Sequence, residues 1–229
     1  MKKSFIVAID GTAGSGKSTT ARKAAEVLGF FYLDTGAMYR AITWKILKSK
    51  IDLNDTEGLK KLLAKTKINF NNKGKIMLDG KDVSKTIRKP VVDKLVSQVS
   101  ALPIVRTKMV KEQRRIAKNR NVICEGRDIG SVVFPKADLK FYLDCHLDER
   151  TRRRVKELRE KGIKATPKAV KENFLERDYI DSTRATSPLK KMPDAVFLDT
   201  TNLTIEEEVE FVTNLIKERL HHKRATGSK

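Results

Sequence analysis

The chain has 229 residues, 39% of them hydrophobic, which suits one compact α/β domain with room for a small insertion and excludes a disordered chain. Its formal net charge of +20 points to anionic partners, but lysine is spread along the whole sequence, so composition favours a solvated surface. No apolar run approaches the ~20 residues of a membrane-spanning helix, and we expect a soluble, cytoplasmic protein.

The N-terminal stretch predicts a buried strand, a glycine-rich turn and a helix in succession. Residues 5–9 are all apolar, and residues 11–18, GTAGSGKS, fit the pattern G-x-x-x-x-G-K-[ST]. Glycines let several backbone N–H groups converge on a phosphate, the lysine reaches the β- and γ-phosphates, and the serine hydroxyl can bind Mg²⁺. The predicted ATP-binding residues are Gly11, Thr12, Ala13, Gly14, Ser15, Gly16, Lys17, Ser18 and Thr19.

The next part of the chain begins as strand and helix and then changes character. We expect a strand over Phe30–Asp34 and a helix from about Ala37 to Lys48. Beyond residue 51 a helix capped by Asp55 is followed by two short apolar runs around a hairpin-like turn at residues 71–74. Because this stretch breaks the alternation of strands and helices, residues 51–102 are predicted to form an inserted subdomain.

Proline marks the helices that follow, starting at Pro90 and Pro103. Further strands are predicted at 121–124, 139–144 and 195–199. Between the last two we expect a basic helix capped by Asp148 and ending at Gly162, and a second helix opened by Thr166. Thr204 and Glu207 form a capping box for a final helix to about Leu220.

These elements predict an α/β fold: a five-stranded parallel sheet with helices on both faces, of the P-loop NTPase type. The predicted organisation is a core domain at 1–50 and 103–220, a helical lid at about 148–166 within it, the insertion at 51–102 and a flexible tail at 221–229. Cys124 and Cys145 each end an apolar run, so we expect buried reduced thiols. No histidine is assigned a catalytic role.

Three classes of P-loop protein remain open at this point: a small-molecule kinase, a hydrolytic switch or motor, and a nucleic-acid-binding ATPase. A guanine-reading N-K-x-D after a strand is missing, and aromatic residues make up only 6% of the chain. Many arginines and no histidine or cysteine constellation favour transfer to an acceptor that is itself a phosphate. Such an acceptor is already nucleophilic and needs cations rather than a general base.

Several motifs in one order resemble the bacterial cytidylate kinase family, over nearly the whole chain. They are DTGAMYR at 34–40, SQV at 97–99 with Pro103 and Arg106, EGRDIGSVVFP at 125–135, and ERD at 176–178 with Asp181 and Arg184. The resemblance implies a nucleoside-monophosphate-kinase-like fold, with the insertion as an enlarged monophosphate-binding domain. It also implies transfer of the γ-phosphoryl group of ATP to CMP or dCMP with Mg²⁺, in pyrimidine nucleotide metabolism.

Carried over by position, the resemblance implies a role for each matching residue. The resemblance implies that Thr35, Arg40 and Arg127 bind the CMP phosphate and that Ser97, Arg106 and Asp128 bind the cytosine. It also implies that Arg177 and Asp181 bind the ribose and that Arg184 lies close to the base or phosphate. The lid residues that close over ATP are Arg150, Arg153 and Arg154, which join Lys17 and Arg127 as the catalytic set. Ser18 is the predicted Mg²⁺ ligand, with Glu125 a further candidate for orienting Mg²⁺-bound water.

Residue chemistry agrees with the role implied for Asp128. Cytosine carries an amino donor at N4 where uracil carries O4, so discrimination between them needs an acceptor. Three positions depart from the family pattern, with Thr35 for serine, Glu125 for aspartate and Ser131 for threonine. The alternatives kept open are a P-loop kinase for another nucleotide or metabolite, and a nucleic-acid-associated ATPase. The expected protein is a monomer with ATP and CMP or dCMP as partners.

Overall fold

The computed structural model describes residues 4–160 and 162–226. Its strands are β1 (Ile6–Gly11), β2 (Phe31–Asp34), β3 (Ile68–Phe70), β4 (Ile76–Leu78), β5 (Lys81–Asp82), β6 (Val122–Glu125), β7 (Leu139–Asp144) and β8 (Val196–Asp199). Its α-helices are α1 (Lys17–Leu28), α2 (Thr35–Ser49), α3 (Thr56–Ala64), α4 (Pro90–Ala101), α5 (Pro103–Ala117), α6 (Leu147–Glu160), α7 (Pro167–Thr183) and α8 (Ile205–Thr226).

The predicted parallel sheet is confirmed, with five strands in the order β2-β6-β1-β7-β8. Strand β1 lies between β6 and β7, with Ala8 opposite Cys124 and Ile9 opposite Phe141. A central parallel strand is covered on both faces, and β1 accordingly reads as an almost continuous apolar run. Because β1 and β6 are neighbouring parallel strands, the P-loop and the segment after Glu125 both begin at the carboxyl ends of these strands.

The core of this part of the molecule is built from the sheet and the first and last helices. Ala21, Ala24 and Ala25 line the buried face of α1, which packs against α8. Val212 and Ile216 of α8 join the same apolar cluster. Short alanine side chains let α1 and α8 approach closely, and this close packing fixes the position of α1.

The chain divides into two compact units, one formed by residues up to Leu33 and from Asn119, the other by residues 34–118. In the second unit α2 packs against α4, α5 and β4, and β3, β4 and β5 form an antiparallel three-stranded sheet. Asp55 caps α3 by accepting a hydrogen bond of 2.8 Å from the Gly58 N–H, as expected. This unit is wider than the predicted insertion at 51–102, because α2 and α5 pack against elements of that insertion.

Two boundary predictions were wrong. Asp148 does not cap the basic helix, because α6 already begins at Leu147 and Asp148 lies in its first turn. The final helix does not stop near Leu220, so residues 221–226 of the predicted flexible tail are helical. Lys223 holds this extension by donating to the Ser4 carbonyl at 3.1 Å and pairing with Asp138. Residues 227–229 of that tail, and Lys161, lie outside the described residues.

Cys124 and Cys145 are buried thiols, as predicted. In the two ranges the structure covers, no helix combines the length and the apolar character required to cross a membrane.

Candidate active site

The turn after β1 adopts the backbone that the glycines were expected to supply. Gly14 and Gly16 have φ values of 78° and 88°, in the left-handed region that favours glycine. Gly11, with φ of 147°, lies so close to β7 that a Cβ there would come within 1.8 Å of the Leu143 carbonyl oxygen. The loop therefore depends on these glycines for its path from the sheet into α1.

Replacing Gly11 by alanine is expected to destabilise the fold by more than about 3 kcal/mol, because the overlap is with backbone that cannot rotate away. Gly29→Ala is the matched control, since Gly29 also has a positive φ of 65° but a Cβ there would meet no described atom within 4 Å beyond its own residue and its two chain neighbours. The control should cost about 1 kcal/mol. Urea unfolding at 25 °C measures both, and equal losses would contradict the steric argument.

Lys17, the first residue of α1, is buried and turned back over the loop. Its Nζ donates to the Thr12 carbonyl oxygen at 2.6 Å. Burial lowers the pKa of Lys17 to about 7, and the nearby positive charge of Arg127 acts in the same direction. An anionic group bound here would restore the ammonium form, so the lysine is poised to respond to phosphate.

A hydroxyl and a carboxylate meet beside the loop, where oxygen ligands suit Mg²⁺. The Ser18 hydroxyl donates to Glu125 Oε1 at 2.7 Å, and the Tyr32 hydroxyl donates to the same oxygen at 3.2 Å. These oxygens fit the hard-cation chemistry predicted for Ser18 and Glu125. The contribution of Tyr32 was not foreseen, because nothing in the sequence pairs β2 with β6.

The residues that follow β6 form a network of charges with the end of α7. Arg127 Nε donates to Asp181 Oδ2 at 2.8 Å, and Arg184 Nη1 donates to Asp181 Oδ1 at 3.3 Å. Arg184 Nη2 also lies 3.9 Å from Asp128 Oδ1. Burial alone would raise the pKa of Asp181, but Arg127 and Arg184 outweigh it and lower the pKa. Four predicted site residues are thus brought together.

Asp10 binds the backbone of the segment that follows Asp128, and sequence reasoning did not predict this role. Its two carboxylate oxygens accept hydrogen bonds from the Ile129 and Gly130 N–H groups at 2.8 and 2.7 Å. Burial raises its pKa to about 6. The available signal was a carboxylate at the end of an apolar strand, directly before the P-loop. Asp10 ties the start of the P-loop to the segment that follows Asp128.

The arginines of α6 do not share one environment. Arg150 is buried against the P-loop, where its Nη1 donates to the Ala13 carbonyl oxygen at 2.9 Å. Arg153 Nη2 instead donates to the Thr200 carbonyl oxygen at 2.6 Å, and Arg154 Nη1 donates to Glu157 at 2.7 Å. Of the three predicted lid arginines, Arg150 is thus the one that these contacts join to the P-loop.

Another carboxylate, Glu208 of α8, lies behind the loop and was also missed. It accepts a hydrogen bond from the Thr20 hydroxyl, and its Oε1 lies 3.7 Å from Arg153 Nη1. A Cβ at Gly16 would come within 2.9 Å of Glu208 Oε2. Burial raises the pKa of Glu208 above its ordinary value. The side chain therefore fills the space that glycine leaves behind the P-loop.

The other predicted CMP-binding residues lie in the unit formed by residues 34–118, apart from Arg177. Arg40 Nη2 pairs with Asp93 Oδ1 at 2.6 Å, and Arg106 Nη1 donates to the Ser100 carbonyl oxygen at 3.1 Å. Thr35 is buried at the start of α2, and Ser97 is half-buried on α4. Arg177 of α7 is close enough to Lys17 for its charge to add to the lowering of that lysine's pKa by burial.

The site combines a P-loop that contains a buried lysine, a hydroxyl–carboxylate pair beside it and an arginine–carboxylate network. Together these features define a phosphate-handling protein of the P-loop kinase class. Within the part of the chain that the structure describes, no group of three or more histidine, cysteine or acidic side chains could hold a metal ion by itself.

Comparisons with known proteins identify the family. The cytidylate kinase family model matches residues 7–218. A cytidylate kinase from Caldanaerobacter subterraneus subsp. tengcongensis is 50% identical over 92% of this chain and 94% of its own length. One from Fusobacterium nucleatum is 48% identical over 93% and 97%. The chain belongs to the cytidylate kinase family.

A solved structure shares the fold at low sequence identity. The crystal structure of an uncharacterized protein from Eubacterium ventriosum has a TM-score of 0.51 and 14% identity, covering 94% of this chain and 99% of that one. This likeness concerns the fold alone.

Proposed function

We infer that this protein transfers the γ-phosphoryl group of ATP to CMP, giving CDP and ADP, and we propose that dCMP is also an acceptor. The observation that carries the proposal is the placement of two cationic side chains: Lys17 is buried with its Nζ 2.6 Å from the Thr12 carbonyl oxygen, and Arg127 is held by Asp181 at 2.8 Å. The positive charge of Arg127 adds to the lowering of the Lys17 pKa by burial, so an anion between the two groups is favoured. A donor phosphate at Lys17 and an acceptor phosphate at Arg127 would supply that anion.

The acceptor phosphate needs no general base, because its oxygen is already anionic. The work left to the protein is to bring two polyanions together and to stabilise charge on the transferred group. Asp181 holds the Arg127 guanidinium in one orientation through a hydrogen bond of 2.8 Å, and Arg127 Nη1 donates to the Gly126 carbonyl oxygen at 3.2 Å. Since a guanidinium carries five N–H donors, this arginine can make both contacts and still bind phosphate.

We propose that Asp128 reads the cytosine through its N4 amino group. The carboxylate accepts from an amino donor and would face the O4 of uracil without a hydrogen bond, which rejects UMP as well as favouring CMP. Asp128 is buried, so a mismatch could not be relieved easily by water. The resemblance to the family supports CMP binding by Thr35, Arg40, Ser97, Arg106, Arg177, Asp181 and Arg184.

Ser18 and Glu125 are the residues proposed to hold Mg²⁺ with ATP, the serine as a ligand and the carboxylate through bound water. Bound Mg²⁺ neutralises charge on the β- and γ-phosphates. The 2.7 Å contact between Ser18 Oγ and Glu125 Oε1 already brings these two oxygens together. Arg150, Arg153 and Arg154 are proposed as the lid cations on the basis of the family resemblance.

The substrate is tested by measuring ADP release with CMP, dCMP, UMP, AMP, GMP and single-stranded DNA as separate acceptors or activators. We expect rapid release with CMP, and only slow release when no acceptor is added, because exclusion of water protects ATP from hydrolysis. If ADP release were faster with another nucleotide, that nucleotide would replace CMP as the proposed acceptor. Stimulation by DNA but not by CMP would overturn the kinase proposal.

A further inference from the structure

Asp178 of α7 makes two contacts that no role proposed above explains. Its Oδ1 accepts a hydrogen bond from the Ala13 N–H at 3.0 Å, and its Oδ2 accepts one from Arg150 Nη1 at 2.5 Å. The same Arg150 nitrogen donates to the Ala13 carbonyl oxygen at 2.9 Å. One carboxylate and one guanidinium therefore hold both polar backbone groups of a single P-loop residue.

Apolar packing places this triangle in a fixed position. Phe174 lies one helical turn before Asp178, so both side chains project from the same face of α7. The Phe174 ring packs with Ala13, and the Arg150 guanidinium carbon lies 5.6 Å from the ring centroid. Only 8% of the Arg150 side chain is exposed. A buried arginine with a charged partner is held far more firmly than an arginine on the surface.

Asp178 also influences the other cations of the site. Its negative charge raises the pKa of Lys17, against the larger lowering by burial and by Arg127. Burial would lower the pKa of Arg127 too, but Asp181, Glu125 and Asp178 outweigh it and raise that pKa. The Asp178 carboxylate thus lies among the cations expected to meet the phosphates.

We propose that Asp178 is a positioning residue for ATP, which fixes Arg150 against Ala13 so that the P-loop and this arginine present one prearranged phosphate site. The inference rests on the part of the proposed function that places ATP at the P-loop, and it does not depend on the acceptor. Prearrangement lowers the entropic cost of ordering Arg150 when ATP binds.

A double-mutant cycle tests the proposal through MgATP binding, measured by calorimetry without CMP. Asp178→Asn and Arg150→Lys are each expected to weaken binding by about 10- to 100-fold, since each breaks a charged hydrogen bond. The double variant should bind MgATP no more than about 3-fold less tightly than the single variant with the lower affinity, because both changes remove one coupled unit. Additive losses, or tighter binding by Asp178→Asn, would overturn the proposal.

Asp148→Asn is the matched control. Asp148 Oδ1 pairs with Lys171 Nζ at 2.6 Å, so this pair also joins α6 to α7, but it is exposed and does not involve the P-loop. The control should bind MgATP within about 2-fold of wild type. A loss as large as that of Asp178→Asn would assign the effect to general helix contact. Failure of the wild type to bind ATP would instead contradict the proposed function.

A comparison of the two Michaelis constants adds a measurement that a purely structural role would not separate. Asp178→Asn and Arg150→Lys are each expected to raise the KM for ATP by about 10-fold or more, because the contacts that they break lie at Ala13 of the P-loop. The KM for CMP should stay within about 2-fold of wild type. Equal increases in both KM values would contradict the proposal, and Arg150→Lys decides the test if Asp178→Asn does not fold.

Discussion

Lys17→Ala is expected to lower kcat by about 10³-fold or more while leaving the protein folded. The lysine is buried, and its Nζ lies 2.6 Å from the Thr12 carbonyl oxygen, so it is held at the P-loop. A cation in such a site is worth much more than one in water, because little solvent screens it from the developing charge. Steady-state ADP release with CMP gives kcat, and circular dichroism with thermal unfolding verifies the fold.

Lys23→Ala is the control on the same helix. Lys23 is exposed and pairs with Glu206 at 2.9 Å, so its loss should change kcat by less than about 2-fold. Removing the buried charge of Lys17 relieves a desolvation cost, and we therefore expect its variant to unfold at a temperature close to that of wild type. A normal kcat in Lys17→Ala would exclude the catalytic role of this lysine.

Asp128→Ala is expected to lower kcat/KM for CMP by about 10³-fold and that for UMP by less than about 10-fold. The buried carboxylate is proposed to accept from the cytosine amino group, an interaction that uracil cannot make. Parallel measurements of kcat/KM with both nucleotides determine the ratio. Affinity for MgATP, measured separately, should remain within about 2-fold of wild type.

Asp128→Asn separates base reading from simple damage to the site. Its amide retains an acceptor for cytosine and also offers a donor for the O4 of uracil, so the variant should discriminate between CMP and UMP less than the wild type does. Equal losses with the two nucleotides in both variants would show that Asp128 does not read the base. The contact of 3.9 Å to Arg184 would then be its main role.

Local patterns in the sequence were enough for most of the secondary structure. The five core strands, the Asp55 cap and the Thr204–Glu207 capping box are all observed, the last through a 2.8 Å bond from the Thr204 N–H to Glu207. Each depends on residues close together in the chain, where the spacing itself carries the information. The errors fell at helix ends, where Asp148 lies inside α6 and Lys223 extends α8 through contacts with distant residues.

The class of protein could be read from the sequence alone, because the P-loop pattern at 11–18 and the ordered motifs at 34–40, 125–135 and 176–184 are properties of the chain read along its length. The side chains that hold those motifs in place became visible only in three dimensions. Asp10 bonds to residues 119 and 120 positions away, Asp178 to a residue 165 positions away, and Glu208 to one 188 positions away. Such pairings follow from the strand order, which brings β6 beside β1, and from the packing of α7 and α8 against the P-loop and its helix. No local spacing encodes them, since each contact depends on how separate elements are arranged in space.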